Sequence, residues 1–258
     1  MDCRDIEWAA FLFNAMGEDG SYINDLRDVQ KKIKDSESKE KSDIGGAVIT
    51  FLNHWRSRAS NNLEGEIEKW YDQNRDELDN LSCCLSNVHL KDTEGIIKNL
   101  YRTLVSINGI GDTIASKILH ILKPDLFIPW DIPIRMWYHS QKIQENNKQE
   151  NTVDEYFLFL KEMQSSANSL TGQNKNFVSD LNSKVRKLYS GNLKKLQMLE
   201  SKLASKPNKE LKEKIESYET MVDFMKKGKT IAKYLDEYNW ITITNGVNIP
   251  PEWSPGME

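Results

Sequence analysis

The chain has 258 residues, enough for one large domain or two small ones with a real core. It is 38% hydrophobic and 29% charged, with no apolar run long enough to span a membrane, so a soluble, mostly helical protein with a wet surface is expected. The formal net charge of −4 argues against a protein that coats nucleic acid indiscriminately, and leaves room for an enzyme with a local basic face.

Asp2 and Asp5 precede the first apolar residues, the wrong sign for a secretory leader, so an intracellular, cytoplasmic protein is expected. Residues 6–16, IEWAAFLFNAM, read as a short apolar helix ended by Gly17 and Gly20. Residues 22–33 continue as an amphipathic helix, and the charged stretch 34–43 reads as an exposed loop. Gly45 and Gly46 open a helix whose Val48, Phe51, Leu52 and Trp55 suit a buried stripe. Arg56 and Arg58 trail from its C-terminal end, where positive charge suits the helix dipole. Residues 63–81 place Leu63, Ile67, Trp70, Tyr71, Leu78 and Leu81 mostly at three- and four-residue steps, the mark of another amphipathic helix. The three cysteines, Cys3, Cys83 and Cys84, offer neither a paired disulfide framework nor zinc spacing and read as buried thiols.

Thr93 reads as the N-cap of the next helix, EGIIKNLYRTLVSI. The stretch 104–135, LVSINGIGDTIASKILHILKPDLFIPWDIPIR, is the organising feature. Apolar or small residues at Leu104, Ile107, Ala115 and Ile118 flank Gly109-Ile110-Gly111 at helical spacings. Glycine tolerates φ > 0, so this corner reverses the chain sharply, and the helix starting there presents bare N–H groups, a ready anion site. Lys123-Pro124 ends that helix, and 127–129 is short and extended. Asp131 then stands at an N-cap position ahead of Ile132 and Pro133.

Beyond a polar linker at 141–152, a helix capped by Thr152 or Asp154 carries an aromatic stripe, Tyr156, Phe157 and Phe159, that reads as core. Residues 174–205 are helical and broken at Gly191. Lys206-Pro207-Asn208 is a turn, with Asn208 capping a helix over 209–227. The two helices make a lysine-rich αα-hairpin at about 191–228. A short helix at 231–238 precedes a strand-like piece starting at Trp240, and the proline-rich end reads as a surface tail. The organisation expected is N-terminal helices over 1–92, a central module over 93–140 and a helical C-terminal region over 141–258.

The spacing L-x-x-I-x-G-x-G-x-x-x-A-x-x-I is that of the helix-hairpin-helix motif, and FIPWDIPIRMWY resembles the matching segment of the helix-hairpin-helix DNA glycosylases, closest to their alkylation-repair (3-methyladenine) branch. The resemblance covers residues 104–138. It implies an all-α fold of two helical lobes with a cleft between them, and a monofunctional DNA N-glycosylase without cofactor or metal. The substrate implied is double-stranded DNA carrying a flipped-out base, either damaged and excised in repair or a phage-type modified base excised in defence. Asp131 falls at the family's catalytic aspartate, and the hairpin Gly109, Ile110, Gly111 and Thr113, with Lys117 and Arg135, at its phosphate contacts. Trp130, Phe127, Trp137 and Tyr138 are the candidate walls of the base pocket. Thr113 stands where bifunctional members carry a Schiff-base lysine, so no lyase chemistry is expected from that position, and Trp130 is larger than the residue usual there. No P-loop, G-x-S-x-G, H-E-x-x-H or deaminase signature is present. Two rivals remain: a non-catalytic DNA-binding module using the same hairpin, and a helical interaction protein that docks through the lysine-rich hairpin.

Overall fold

Asp2 and Asp5 open α1 (Cys3–Ala15) as a reciprocal capping box, each carboxylate accepting from the other's backbone N–H at 3.0 and 2.8 Å. Gly17, at φ +79°, turns the chain directly into α2 (Glu18–Ser36). Gly20 does not end the first helix but lies inside α2, where a Cβ would sit 3.1 Å from Ser217 Oγ, so the residue permits close helix packing rather than a stop. These features come from a computed structural model that describes residues 1–36, 43–81, 84–143, 151–202 and 208–250. Most of the charged stretch 34–43, Cys83, most of the 141–152 linker, Lys206-Pro207 and the proline-rich end lie outside the described residues.

The described chain is all-α, and no strand occurs among the described residues. After α3 (Gly45–His54) come α4 (Glu64–Asn80), α5 (Leu90–Val105), α6 (Asp112–Leu122), α7 (Ile132–Ile143), α8 (Thr152–Gln173), α9 (Phe177–Lys202), α10 (Lys209–Lys227) and α11 (Ile231–Asn239). His89, not Thr93, stands at the start of α5, and Asn151, not Thr152 or Asp154, caps α8 by accepting from the N–H groups of Val153 and Asp154. Residues 240–244 form a π-helical turn continuing α11 instead of a strand, closed by Asn245 N–H donating to the Trp240 carbonyl at 3.0 Å. Their β-branched residues lack a neighbouring strand, so the backbone pairs with itself.

Among the described residues a large hydrophobic core, with a small second cluster of Ala9, Phe13 and Ile241, draws on both ends of the chain, since α1 packs on α11 and α2 on α10. No helix among the described residues is long and apolar enough to cross a membrane.

The αα-hairpin is longer than expected. Gly191 does not interrupt α9, and a Cβ there would meet nothing within 4 Å. A solvent-side glycine costs a helix only about 1 kcal/mol, and packing against α10 outweighs that. At the far end Asn208 caps α10 through the Leu211 N–H, and Gly228 leaves it at φ +86°. A Cβ at Gly228 would sit 2.5 Å from Asn182 Nδ2, whose amide brackets Lys229 by accepting from its N–H and donating to its carbonyl.

Candidate active site

Asp131 is the residue the local chain is built to place. Residues 127–131 belong to no helix or strand, so their backbone groups bond elsewhere. Ser116 Oγ accepts from the Trp130 N–H at 2.9 Å, and Tyr156 OH donates to the Ile128 carbonyl at 3.1 Å. The Phe127 carbonyl accepts from His120 Nδ1 at 2.7 Å. Burial lowers the His120 pKa to about 4, so the ring is neutral, carries its proton on Nδ1 and accepts from Tyr22 OH through Nε2. Asp131 itself caps α7, its Oδ1 accepting from the Ile134 N–H at 3.1 Å. Thr244 donates to the other oxygen at 3.1 Å from the π-turn, 113 residues away in sequence.

The half-buried Asp131 carboxylate lines a cavity of about 290 Å³. Its aromatic walls are Phe13, Trp55 and Trp240, and its polar lining includes Thr113, Lys117, Asp236 and Arg56. Burial raises the Asp131 carboxyl above the usual aspartate value, opposed by the Ile134 N–H, Thr244 and Lys117. Asp236, the second carboxylate, is 2% exposed and already paired with Lys233 at 2.8 Å. The Lys233 ammonium sits 4.1 Å from the Tyr22 ring centre and 4.6 Å from those of Phe13 and Trp55, which holds two of the cavity's aromatic walls around one buried cation.

The hairpin corner borders this cavity through Thr113. Only Gly109 uses the left-handed region, at φ +94°; Gly111 is extended and open, so its small size clears space in front of α6 without serving the turn. Ile110 is buried and its N–H is spent inside the turn on the Ile107 carbonyl. No side chain caps the start of α6 among the described residues, which leaves first-turn N–H groups facing outward. The two glycines therefore separate by experiment. Gly109→Ala should lower stability by about 1–2 kcal/mol through backbone strain, read by urea unfolding. Gly111→Ala should leave the unfolding midpoint unchanged and weaken any ligand that approaches the helix end.

Several sequence-predicted site residues lie elsewhere. Trp130 and Phe127 are fully buried and Tyr138 is 3% exposed, so they form core and not a base pocket. Trp130 stacks on Phe159, with ring centres 5.8 Å apart, and meets Tyr138 edge-on at 6.3 Å. Trp137 is exposed on the outer face of α7, away from the cavity lining. Arg135 is engaged by the Asp112 carboxylate at the start of α6, so it neutralises the hairpin's own acid before any phosphate. Lys117 is not a surface phosphate clamp either: it is 8% exposed, and its ammonium donates to the Trp55 carbonyl at 2.7 Å and Ser57 Oγ at 3.0 Å.

Sequence reasoning passed over Asp236, Trp240 and Thr244, which reach the cavity only through the packing of both chain ends. It read Arg56 and Arg58 as a charged helix end, without the backbone corner they form after α3. There Ser57 N–H donates to the Leu52 carbonyl and Arg56 N–H to Asn53, a Schellman closure with arginine at φ +57° where glycine is usual. Arg56 lines the cavity from this strained backbone position. Arg56→Gly should accordingly raise the unfolding free energy by about 1 kcal/mol while removing that charge.

Among the described residues no cluster of His, Cys, Asp and Glu is arranged to hold a metal ion. Comparison of the chain with protein-family models, curated proteins and solved structures finds no match.

Proposed function

We propose that the protein is a hydrolytic DNA N-glycosylase that works through Asp131. The observation carrying this reading is the position of that carboxylate: half-buried, held by two donors, opening into an aromatic-walled cavity of about 290 Å³ that the glycine hairpin borders. Cleaving the bond between a base and its sugar builds positive charge on the sugar, and a fixed carboxylate beside it stabilises that charge and orients the attacking water. The Ile134 N–H and the Thr244 hydroxyl oppose the effect of burial and keep the group ionisable.

Trp55 and Trp240 supply flat apolar surface for a base rotated out of the stack. The start of α6 supplies N–H groups for one backbone phosphate. The substrate class remains as the resemblance left it, a damaged base in repair or a modified phage base in defence.

The test is incubation of the full chain with duplexes carrying alkylated, deaminated, oxidised and glycosylated bases, scoring free base and abasic sites. Release of one class by the native chain and not by Asp131→Asn supports the reading; equal release by both removes it. Binding without release fits a non-catalytic module, and absence of salt-sensitive DNA binding fits an interaction protein.

A further inference from the structure

A second cavity, of about 470 Å³, lies at the end of α6 away from the hairpin. Its volume falls within the roughly 300–1,000 Å³ of small-molecule sites. It is enclosed by α2, the end of α4, the turn at Pro124 and the junction of α10 with α11. Thr230 Oγ1 donates to the Pro124 carbonyl at 3.4 Å and ties that turn to the start of α11. The apolar lining is mostly aliphatic, with Leu26, Leu81, Leu122 and Leu126 deep and Ile33 and Phe224 half-buried. Lys229 and Lys233 also reach it, but each is matched at 2.8 Å by a carboxylate outside the lining, Glu237 and Asp236. The rim is charged unevenly. Arg27 from α2 and Lys227 from the end of α10 are exposed there, and among the described residues neither cationic group has a hydrogen bond or an ion pair. Asp223, which Arg27 influences electrostatically, already pairs with Lys226 at 2.8 Å. The rim's acids, Asp79 and Asp125, come from the end of α4 and the Pro124 turn, and Asp79 is matched by Lys123 at 3.5 Å.

We propose that this cavity binds a medium-length alkyl chain ending in a carboxylate or a phosphate. The chain lies over the leucines, and Arg27 and Lys227 hold the anion, arginine through the forked N–H groups that suit both head groups. Aliphatic side chains offer a ligand no hydrogen bonds. That suits an alkyl chain better than a base or a sugar, whose polar edges would lose water without replacement. Two cations without protein partners, at the mouth of an apolar cavity, complement a ligand that is apolar at one end and negative at the other. The inference stands apart from the glycosylase reading. Asp131 does not line this cavity, and the first turn of α6 and Lys123 are about 15 Å apart along the helix.

The test is calorimetric titration of the full chain with octanoate and octyl phosphate, beside hexanoate and octanol. Octanoate should bind at a single site and about fourfold more tightly for each CH₂ it has beyond hexanoate. Octanol, with the same chain and no charge, should bind at least about tenfold more weakly. The double variant Arg27→Gln, Lys227→Gln should weaken octanoate by a similar factor and leave octanol unchanged. Both side chains are exposed, so the fold persists in that variant. Tighter binding of octanoate, or of octyl phosphate, supports the proposal and identifies the head group. A photoreactive diazirine analogue of octanoate places the site on the native chain, with crosslinks expected in the peptides carrying Leu26, Leu81 or Leu122. Absence of binding by either anion, equal affinity for octanoate and octanol, undiminished affinity in the double variant, or crosslinks confined to other peptides overturns the inference. None of these outcomes bears on the glycosylase reading, which stands or falls on released base.

Discussion

Replacing Asp131 with Asn should leave DNA affinity unchanged and lower base release about a thousand-fold, the scale reached when one preorganised electrostatic group is removed from a transition state. The substitution keeps an oxygen that accepts from the Ile134 N–H, so the start of α7 survives, while it removes the charge and the oxygen that accepts from Thr244. A purely capping aspartate would give no such loss of activity. Stability separates the two roles further. Burial raises the folded-state pKa of Asp131 above 3.8, so the ionised carboxylate opposes folding at neutral pH. That penalty fades as pH falls through the raised value and is gone below the unfolded value. Asp131→Asn should therefore melt no lower than the native chain near neutrality. On the proposed reading, base release by the native chain should fall on acidification at a higher pH than an exposed aspartate would give, because the reaction needs the ionised form. Equal activity across that range in both proteins, followed by single-turnover assays, would remove the carboxylate from the chemistry.

The parts legible in the sequence are those with local causes. The corner at Gly109, the stop at Pro124, the cap at Asp131 and the cap at Asn208 each follow from a residue's own backbone preference or hydrogen-bonding reach. The cavity was only half legible. Asp131 and Thr113 lie within one short stretch, but Asp236 and Thr244 arrive from the other end of the chain, and no local pattern links Thr244 to a carboxylate 113 residues earlier. Lys117 was visible as a charge, and charge was read as surface. The carbonyl and hydroxyl at the end of α3 that accept its protons could not be inferred from the spacing in α6. The same limit explains the aromatics beside Asp131. Adjacency in sequence placed Trp130 near the acid, but neighbours outside a helix need not face the same way. Asp131 turns toward the cavity and Trp130 turns into the core.

That reversal makes Trp130→Ala the most damaging single change expected for stability, about 3–5 kcal/mol by chemical unfolding. The indole is fully buried, and its ring centre lies 5.6 Å from that of Tyr156 and 5.8 Å from that of Phe159. Alanine would leave a void among rings held by their own helices. Among the described residues the indole N–H finds no hydrogen-bond partner, so Trp130→Phe discards an unsatisfied donor along with part of the ring and should cost less. Trp137→Ala, on the exposed face of α7, should change stability by no more than about 0.5 kcal/mol. Because Trp130 anchors the peptide that leads into Asp131, loosening it should also lower base release in proportion to the disorder introduced, without touching the base. The opposite pattern, with Trp130→Ala folding as stably as the native chain and losing only base release, would return the residue to the role its place in the sequence first implied: a surface on which a flipped base stacks.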